Sequence, residues 1–359
     1  FCNLTGKCLE IPHGAYSYPL ATTKILQQNT MKNMRTSVIL IIFLCLTKIG
    51  YSQTPKIDTL FDFNLNGLEQ KVLVQSNDLK NPLILWLHGG PGTSEMFINH
   101  HCMNKLYDNF TVVHWDQRGT ALSYNDSIKV SDISSDKILD DAFQLTQILK
   151  ANYQQDKIFI IGHSFGSILG IHLAEKYPDE YYSFIGVGQV INDNKSREMN
   201  YKWFVKKLTE EKDTVELNKI VETKKVSRRL INKYNGIYYK GISLFDIIKT
   251  SPYYYEGYLD DYLSSMKFVR ESMGQNPSTY FKEIMDINKL NIPVYFFEGR
   301  HDKVWACSPE LVVDYCDSLD APVKEIVWFE NSAHHPNIDE PDKFQKVLIN
   351  KVLKETYKD

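Results

Sequence analysis

The chain has 359 residues, of which 43% are hydrophobic and 24% are charged, and its formal net charge is -3. This composition is that of an ordered globular protein with a full apolar core, and it excludes a disordered chain. The small net charge gives no electrostatic case for nucleic acid as a partner, and we interpret the basic stretch Lys224–Arg229 as a solvated helix face.

The amino-terminal part of the chain differs from the rest. The first methionine is Met31, so we interpret residues 1–30 as translated upstream sequence. Residues 31–52 begin with basic side chains and continue into an apolar run over 38–46, which is too short to span a bilayer comfortably. This pattern predicts a signal peptide. We therefore expect an exported protein, periplasmic or secreted, whose mature form has no integral membrane span.

Three cysteines remain once that segment is set aside, namely Cys102, Cys307 and Cys316. An odd number of cysteines in an exported protein argues against a disulfide framework. We expect these three to be buried thiols.

From residue 57 onward, short apolar runs alternate with longer amphipathic ones, which is the pattern of a wound α/β sheet. The first two predicted strands form a hairpin, and the third is apolar throughout, as expected of a strand covered on both faces. In chain order the predicted strands are 57–63, 70–75, 83–87, 110–115, 158–161, 184–187, 293–297 and 324–329. Helices are predicted over 138–152 and 343–356.

The chain divides into two sheet-forming parts, 53–190 and 289–359, separated by a helical stretch over 191–288. That stretch has charged helical patterns and many tyrosines but no strand signals. We interpret it as a helical cap that covers a pocket at the carboxyl edge of the sheet. Its tyrosines either line the pocket or pack the cap onto the body.

The loop after the third predicted strand reads His88-Gly89-Gly90-Pro91-Gly92. A glycine-dense loop at a strand end allows backbone N–H groups to point at a bound carbonyl, as an oxyanion hole requires. We predict Gly90 as one donor of that hole and interpret His88 as a residue that braces the loop.

A Gly-x-Ser-x-Gly sequence follows the fifth predicted strand and leads into a helical pattern, with Ser164 at its centre. This order of strand, turn and helix predicts a nucleophile elbow. The glycines on either side of Ser164 are explained by the sharp reversal, which leaves no room for side chains. Phe165 directly follows the serine, and its N–H is the second predicted oxyanion donor.

The acid and the base are expected later in the chain, in the order serine, acid, histidine. Asp302 follows the predicted strand 293–297, and two adjacent histidines, His334 and His335, follow the strand 324–329. All lie in loops at the same sheet edge as the serine. The spacing leaves open which histidine is the base.

The motifs His88-Gly89-Gly90-Pro91-Gly92, Asp116-Gln117-Arg118-Gly119, the serine elbow, Gly299-Arg300-His301-Asp302 and Ser332-Ala333-His334-His335-Pro336 together resemble those of α/β-hydrolases of the proline iminopeptidase type. The resemblance implies an α/β-hydrolase fold, with a mostly parallel eight-stranded sheet, helices on both faces and an inserted helical cap. It maps the nucleophile onto Ser164, the acid onto Asp302 and the base onto His334.

The same resemblance implies that cap carboxylates recognise the substrate amine, and we name Glu198 and Glu256 as candidates. We expect Asp116 and Arg118 to form a buried ion pair that braces the loop beside the pocket. A metal site at Asn99–Cys102 is disfavoured because adjacent histidines on a helix point apart. We expect neither a metal nor another cofactor.

These features predict a serine hydrolase. The leading interpretation is an aminopeptidase that releases amino-terminal proline, or a similar residue, from short peptides through an acyl-enzyme. The alternatives are a carboxylesterase or lactonase that acts on small apolar esters, and a non-catalytic binding protein on the same fold. Small peptides or esters are therefore the expected partners.

Overall fold

A computed structural model describes residues 56–239, 241–275 and 284–358. The predicted signal peptide and residues 1–30 lie outside the described residues, so export remains a prediction. Within the described ranges we find no helix that combines the length and the hydropathy needed to cross a bilayer.

Eight strands form one sheet in the order β1-β2-β4-β3-β5-β6-β7-β8. Strand β1 pairs antiparallel with β2, and β2 pairs antiparallel with β4, whereas every later neighbour is parallel. This confirms the mostly parallel eight-stranded sheet. The strands are β1 Ile57–Leu65, β2 Leu68–Ser76, β3 Leu83–Leu87, β4 Thr111–Trp115, β5 Ile158–His163, β6 Tyr181–Val187, β7 Val294–Gly299 and β8 Lys324–Phe329.

The opening hairpin is closed by Asn66 and Gly67, which lie between the paired residues Leu65 and Leu68 of the two strands. Both turn residues have positive φ, 47° for Asn66 and 85° for Gly67. A two-residue loop of this kind matches the twist of an antiparallel pair, and Asn-Gly is its preferred sequence. The turn therefore fixes the register of β1 against β2.

Each central strand sends alternate side chains to opposite faces of the sheet. In β3, Ile84 and Trp86 pack into one hydrophobic cluster, whereas Leu83, Leu85 and Leu87 pack into a second cluster. Helices cover both faces, as the continuous apolar run of β3 predicts.

The helices of the sheet body include two long ones next to the central strands. In α2, Ser134 caps the first turn by accepting a hydrogen bond from the backbone N–H of Lys137. The body helices are α1 Asn99–Cys102, α2 Ser135–Tyr153, α3 Phe165–Lys176, α9 Pro309–Ser318, α10 Pro336–Asp339, α11 Pro341–Val347 and α12 Lys354–Thr356, with a π-helical segment Leu348–Leu353 before α12. The predicted carboxyl-terminal helix over 343–356 thus begins two residues earlier, where Pro341 suits a first helical position.

The segment over 191–288, here called the insert, lies between β6 and β7. Its described part contains helices and loops and contributes no strand to the sheet. These helices are α4 Asp193–Glu210, α5 Thr214–Thr223, α6 Arg228–Lys233, α7 Leu244–Lys249 and α8 Tyr258–Gln275. The helices agree with the prediction from the sequence, while the domain limits at 190 and 288 remain predictions.

Candidate active site

Ser164 lies in the turn between β5 and α3. Its φ is 53° and its ψ is -116°, a backbone conformation that is strained for a residue with a side chain. A Cβ on Gly162 would lie 2.3 Å from the carbonyl oxygen of Gly166, and a Cβ on Gly166 would lie 1.9 Å from that of Leu87. Both flanking positions therefore require glycine. The turn holds Ser164 at the carboxyl edge of the parallel strands.

His334 and Asp302 lie in loops that follow the adjacent strands β8 and β7. The distance from His334 Nδ1 to Asp302 Oδ2 is 2.7 Å, and both side chains are buried. Asp302 Oδ1 accepts a hydrogen bond of 2.8 Å from the backbone N–H of Val304. Because Nδ1 of His334 faces a carboxylate, we assign the ring hydrogen to Nδ1, which leaves Nε2 as the basic nitrogen.

His335, the alternative base, has different surroundings. Its ring stacks on Tyr238 with centroids 4.6 Å apart and an interplanar angle of 12°. Burial, together with the nearby rings of His163 and His334, lowers the pKa of His335 well below its usual range. Within the described chain, its Nδ1 has no hydrogen-bond partner. The carboxylate contact thus belongs to His334.

Of the two residues predicted as oxyanion donors, Phe165 directly follows Ser164, and Gly90 lies in a loop that passes close to the serine. Gly90, in the loop after β3, has a φ of 121°, and the neighbouring Gly89 is so close that its Cβ would lie 3.0 Å from Ser164 Cβ. Phe165 is the first residue of α3. The amino-terminal end of a helix favours negative charge.

A buried ion pair lies directly beside the serine and was not anticipated from the sequence. His163 Nδ1 is 2.6 Å from Glu95 Oε1, and His163 Nε2 is 3.0 Å from the carbonyl oxygen of His334. Burial opposes protonation of His163, but the Glu95 carboxylate outweighs it, so the pKa of His163 is raised. Burial likewise opposes ionisation of Glu95, yet His163 keeps the pKa of Glu95 lowered. The pair links the elbow to the His334 loop.

His88 braces its loop, as expected. Its Nε2 accepts a hydrogen bond of 3.2 Å from the backbone N–H of Gln117, and the Gln117 amide donates to the carbonyl oxygen of His88 at 3.1 Å. Burial lowers the pKa of His88 to about 4. The ring is therefore neutral near pH 7.

The prediction that Asp116 and Arg118 pair with each other is wrong. Arg118 binds Asp141 of α2 through Nε at 2.6 Å and through Nη2 at 2.7 Å, with both side chains buried. Asp116 instead accepts hydrogen bonds from the Ser94 hydroxyl and from the backbone N–H of Leu122. Burial raises the pKa of Asp116 to about 7. Packing of α2 against the loop, which local sequence does not reveal, selects the partner of Arg118.

Ser164 and His334 open onto a cavity of about 150 Å³. Gly90, His335 and Tyr238 also line this cavity. The tyrosines Tyr238, Tyr258 and Tyr262 of the insert all belong to one buried hydrophobic cluster, and of these three Tyr238 also lines the cavity.

Three arginines of the insert line the same cavity, namely Arg197 of α4, Arg228 of α6 and Arg270 of α8. The sequence alone identifies none of the three and indicates a solvated face for the stretch that contains Arg228. Arg228 is indeed exposed, yet it also faces the cavity. Only the packing of three separate helices brings these charges together, so no local pattern could have identified them.

Glu198 and Glu256, the candidates for amine recognition, are absent from the described lining of this cavity. The Glu198 side chain is 62% exposed and lies 2.5 Å from Lys202 one turn along α4. Glu256 is exposed in the loop before α8. The structure therefore does not bring either carboxylate to Ser164.

Two groups of described side chains are close enough to hold a metal ion. One consists of Glu95, His163 and His335, and the other of Asp302, Cys307 and His334. The histidine–carboxylate contacts described above already occupy ligand atoms in both groups. The described thiols Cys102, Cys307 and Cys316 are free and buried, as predicted.

Comparison with known proteins identifies relatives of the chain. A family model described as serine aminopeptidase, S33, matches residues 80–341. The chain is 29% identical over 303 residues to the protein named "Probable aminopeptidase YbaC" of Bacillus subtilis, and this match covers 80% of the chain and 94% of that protein. It is 24% identical over 298 residues to a proline iminopeptidase of Saccharolobus solfataricus, covering 75% of the chain and 84% of that protein.

Solved structures agree on the architecture. The proline iminopeptidase of Mycobacterium smegmatis aligns with a TM-score of 0.58 at 16% identity, covering 83% of this chain and 99% of that one. A proline iminopeptidase-related protein of Thermus thermophilus aligns with a TM-score of 0.57, covering 84% of this chain and 98% of that one. Together with the sheet order, these likenesses confirm the α/β-hydrolase fold.

Proposed function

The chain belongs to the serine aminopeptidase family S33 and is a hydrolase, and from this premise we propose that it releases amino-terminal proline, or a similar residue, from short peptides through an acyl-enzyme. The observation that carries the proposal is that the strained Ser164 shares one cavity with His334, whose ring contacts the buried Asp302. The two named relatives support the choice of a peptide substrate.

In the proposed reaction, Ser164 Oγ attacks the carbonyl carbon of the first peptide bond while His334 Nε2 takes the hydroxyl proton. The C–N bond then breaks, and His334 returns the proton to the leaving amine. A water molecule, activated by the same nitrogen, hydrolyses the ester to Ser164 and frees the amino acid. Asp302 holds the ring in the required tautomer and stabilises its positive charge.

We assign the oxyanion of the tetrahedral intermediate to the backbone N–H groups of Gly90 and Phe165. The cavity lining at Gly90 and the position of Phe165 at the start of α3 support this assignment. One such donor contributes about 3 kcal/mol to transition-state stabilisation. The insert is assigned the role of a cap, supported by its residues Arg197, Tyr238 and Arg270, which line the cavity with Ser164.

A second candidate function is hydrolysis of small esters or lactones. The observation that favours it concerns the substrate amine. Within the described lining of the cavity, Glu95 is the one carboxylate, and its oxygens already bind His163 and Trp86. An ester substrate has no amine that needs a carboxylate partner.

Turnover of three chromogenic substrates separates these functions. We expect faster release of the arylamine from prolyl arylamide than from its amino-blocked form, since the blocking group enlarges the substrate in a small cavity. Equal turnover of the two arylamides contradicts the aminopeptidase, and activity confined to p-nitrophenyl esters supports the esterase.

A labelling experiment tests the nucleophile independently of the substrate. A fluorophosphonate is expected to modify the wild-type protein and not Ser164→Ala. Ser167→Ala is a matched control, because Ser167 lies one turn further along α3 and donates its hydroxyl to the carbonyl oxygen of Ser164. Label that persists in Ser164→Ala overturns the assignment, and absence of label in the wild type favours a non-catalytic binding protein.

A further inference from the structure

The charge of the cavity is unusual for a site that accepts an amino-terminal amine. Arg197, Arg228 and Arg270 come from three different helices and converge on the lining shared with Ser164 and His334. A protonated amine would be repelled by such a lining, whereas an anionic group would be attracted to it. The arginines therefore favour contact with an anionic part of the substrate and not with its amine.

Two of the three arginines have no acidic partner in the described part of the chain. Arg197 is 2.8 Å from Asp193, one turn earlier in α4. Neither Arg228 nor Arg270 forms an ion pair with a described carboxylate; Arg270 is 3.4 Å from the hydroxyl of Thr93. Glu95, the acid of the described lining, is already bound to His163. The cavity thus carries positive charge that none of the described carboxylates neutralises.

Arg228 and Arg270 also lie close enough to affect each other. Partial burial of the otherwise exposed Arg270, and then the positive charge of Arg228, lower the pKa of Arg270. Two guanidinium groups held in this way repel each other, and an anion placed between them relieves the repulsion. Guanidinium donors match a carboxylate in particular, because the planar fork binds both oxygens at once.

The position of these arginines relative to the serine indicates which substrate carboxylate is bound. Arg228 and Arg270 are exposed at the cavity wall, whereas His334 is buried and Ser164 is half-buried. The acyl part of a substrate must reach Ser164, so the leaving part extends toward the solvent side. In a dipeptide or tripeptide, the leaving part ends in the carboxyl terminus. The cavity volume of about 150 Å³ also favours a substrate this short.

We propose that Arg228 and Arg270 form a subsite for the free carboxyl terminus of a dipeptide or tripeptide, so that the enzyme selects short peptides by their carboxylate. This inference rests on the proposed peptidase function. It makes the two arginines specificity-determining residues of the insert, in place of the carboxylates Glu198 and Glu256.

The test compares Pro-Gly with Pro-Gly amide, which differ in the terminal charge and keep the same amine and scissile bond. For the wild type, we expect kcat/KM to be about 10-fold to 100-fold higher for the free acid, as charge-assisted hydrogen bonds allow. In the double variant Arg228→Gln/Arg270→Gln, the ratio of the two kcat/KM values should fall to about 1. Arg229→Gln is the matched control, because Arg229 pairs with Glu216 and is absent from the described lining.

A ratio near 1 in the wild type, or an unchanged ratio in the double variant, overturns the subsite while leaving the peptidase intact. Binding of the same two peptides to Ser164→Ala, measured by calorimetry, supplies a readout that does not depend on hydrolysis. A preference for the free acid that disappears in the triple variant Ser164→Ala/Arg228→Gln/Arg270→Gln supports the subsite even if the wild type cleaves neither peptide. In that case the peptidase proposal fails and the carboxylate subsite stands. Equal binding of both peptides to Ser164→Ala refutes the subsite.

Discussion

The sheet body and the insert supply the cavity with groups of different character. From the body come Ser164, His334 and Asp302, with the two latter buried and joined by a 2.7 Å contact. The insert contributes three exposed arginines. Two of them, Arg228 and Arg270, form no ion pair with a carboxylate in the described part of the chain. In the proposed enzyme, the body therefore supplies the residues of the reaction, and the insert supplies the residues that select the charge of the substrate.

The strongest test of this division compares the two adjacent histidines. We expect His334→Ala to lower kcat by about 10⁶-fold, because the base that takes the serine proton is lost. His335→Phe keeps a ring on Tyr238 and should lower kcat by less than about tenfold, since a neutral, stacked ring takes no part in proton transfer. Steady-state kinetics on the preferred substrate measure both. A large loss in His335→Phe with activity retained in His334→Ala would reverse the assignment of the base.

The next test concerns two buried acids at the end of β7. We expect Asp302→Asn to lower kcat by about 10⁴-fold, because the amide no longer selects the tautomer of His334 that has a basic Nε2. Glu298→Gln is the control. Burial raises the pKa of Glu298 well above its usual range, and its Oε1 accepts a hydrogen bond of 2.9 Å from the backbone N–H of Gln189, which an amide oxygen can also accept. A comparable loss in both variants, with folding intact by circular dichroism, would make the role of Asp302 structural.

Much of the body could be predicted because its site follows from topology. Parallel strands end at one edge, so the loops after β5, β7 and β8 had to bring Ser164, Asp302 and His334 near one another. The apolar run of β3 likewise indicated a strand covered on both faces. These predictions need only the order of the elements along the chain.

The rest depends on how distant segments pack. Arg118 lies two residues from Asp116 in sequence, yet it binds Asp141 because α2 packs beside the loop. In the sequence, Arg228 is one more charge on a predicted helix surface. Its position in the cavity lining depends on how α6 and α8 pack. Glu95 and His163 are 68 residues apart, and neither lies in a pattern that predicts an ion pair.

The body and the insert also differ in their histidines. The insert contains none, whereas the body contains several that are buried and that affect stability in acid. Burial lowers the pKa of His114 to about 4. An unfolded chain takes up a proton at this residue below about pH 6.5, whereas the native state does not, so stability falls as the pH decreases from 6.5 to 4. Through His114 alone, the free energy of unfolding falls by about 3 kcal/mol between pH 6.5 and pH 4.

The variant His114→Phe should therefore lose less stability between pH 7 and pH 4.5 than the wild type. Urea unfolding at the two pH values measures the difference. The ring of His114 lies 5.9 Å from that of Trp86, so an aromatic replacement keeps the packing. An identical pH dependence in wild type and variant would mean that His114 has the same pKa in the native and unfolded states.

The smallest expected effect comes from two helical glycines, one in each region. A Cβ on Gly170 of α3 would lie 2.4 Å from the Phe184 ring, whereas a Cβ on Gly274 of α8 would meet no atom of the described residues within 4 Å. Gly170→Ala should reduce the free energy of unfolding by about 1–3 kcal/mol, because the body is packed too tightly to accept a methyl group. Gly274→Ala should raise it by about 0.5 kcal/mol, since alanine has the higher helix propensity and nothing opposes the added methyl group. Urea unfolding measures both. If Gly274→Ala is as destabilising as Gly170→Ala, the end of α8 is packed as tightly as the body.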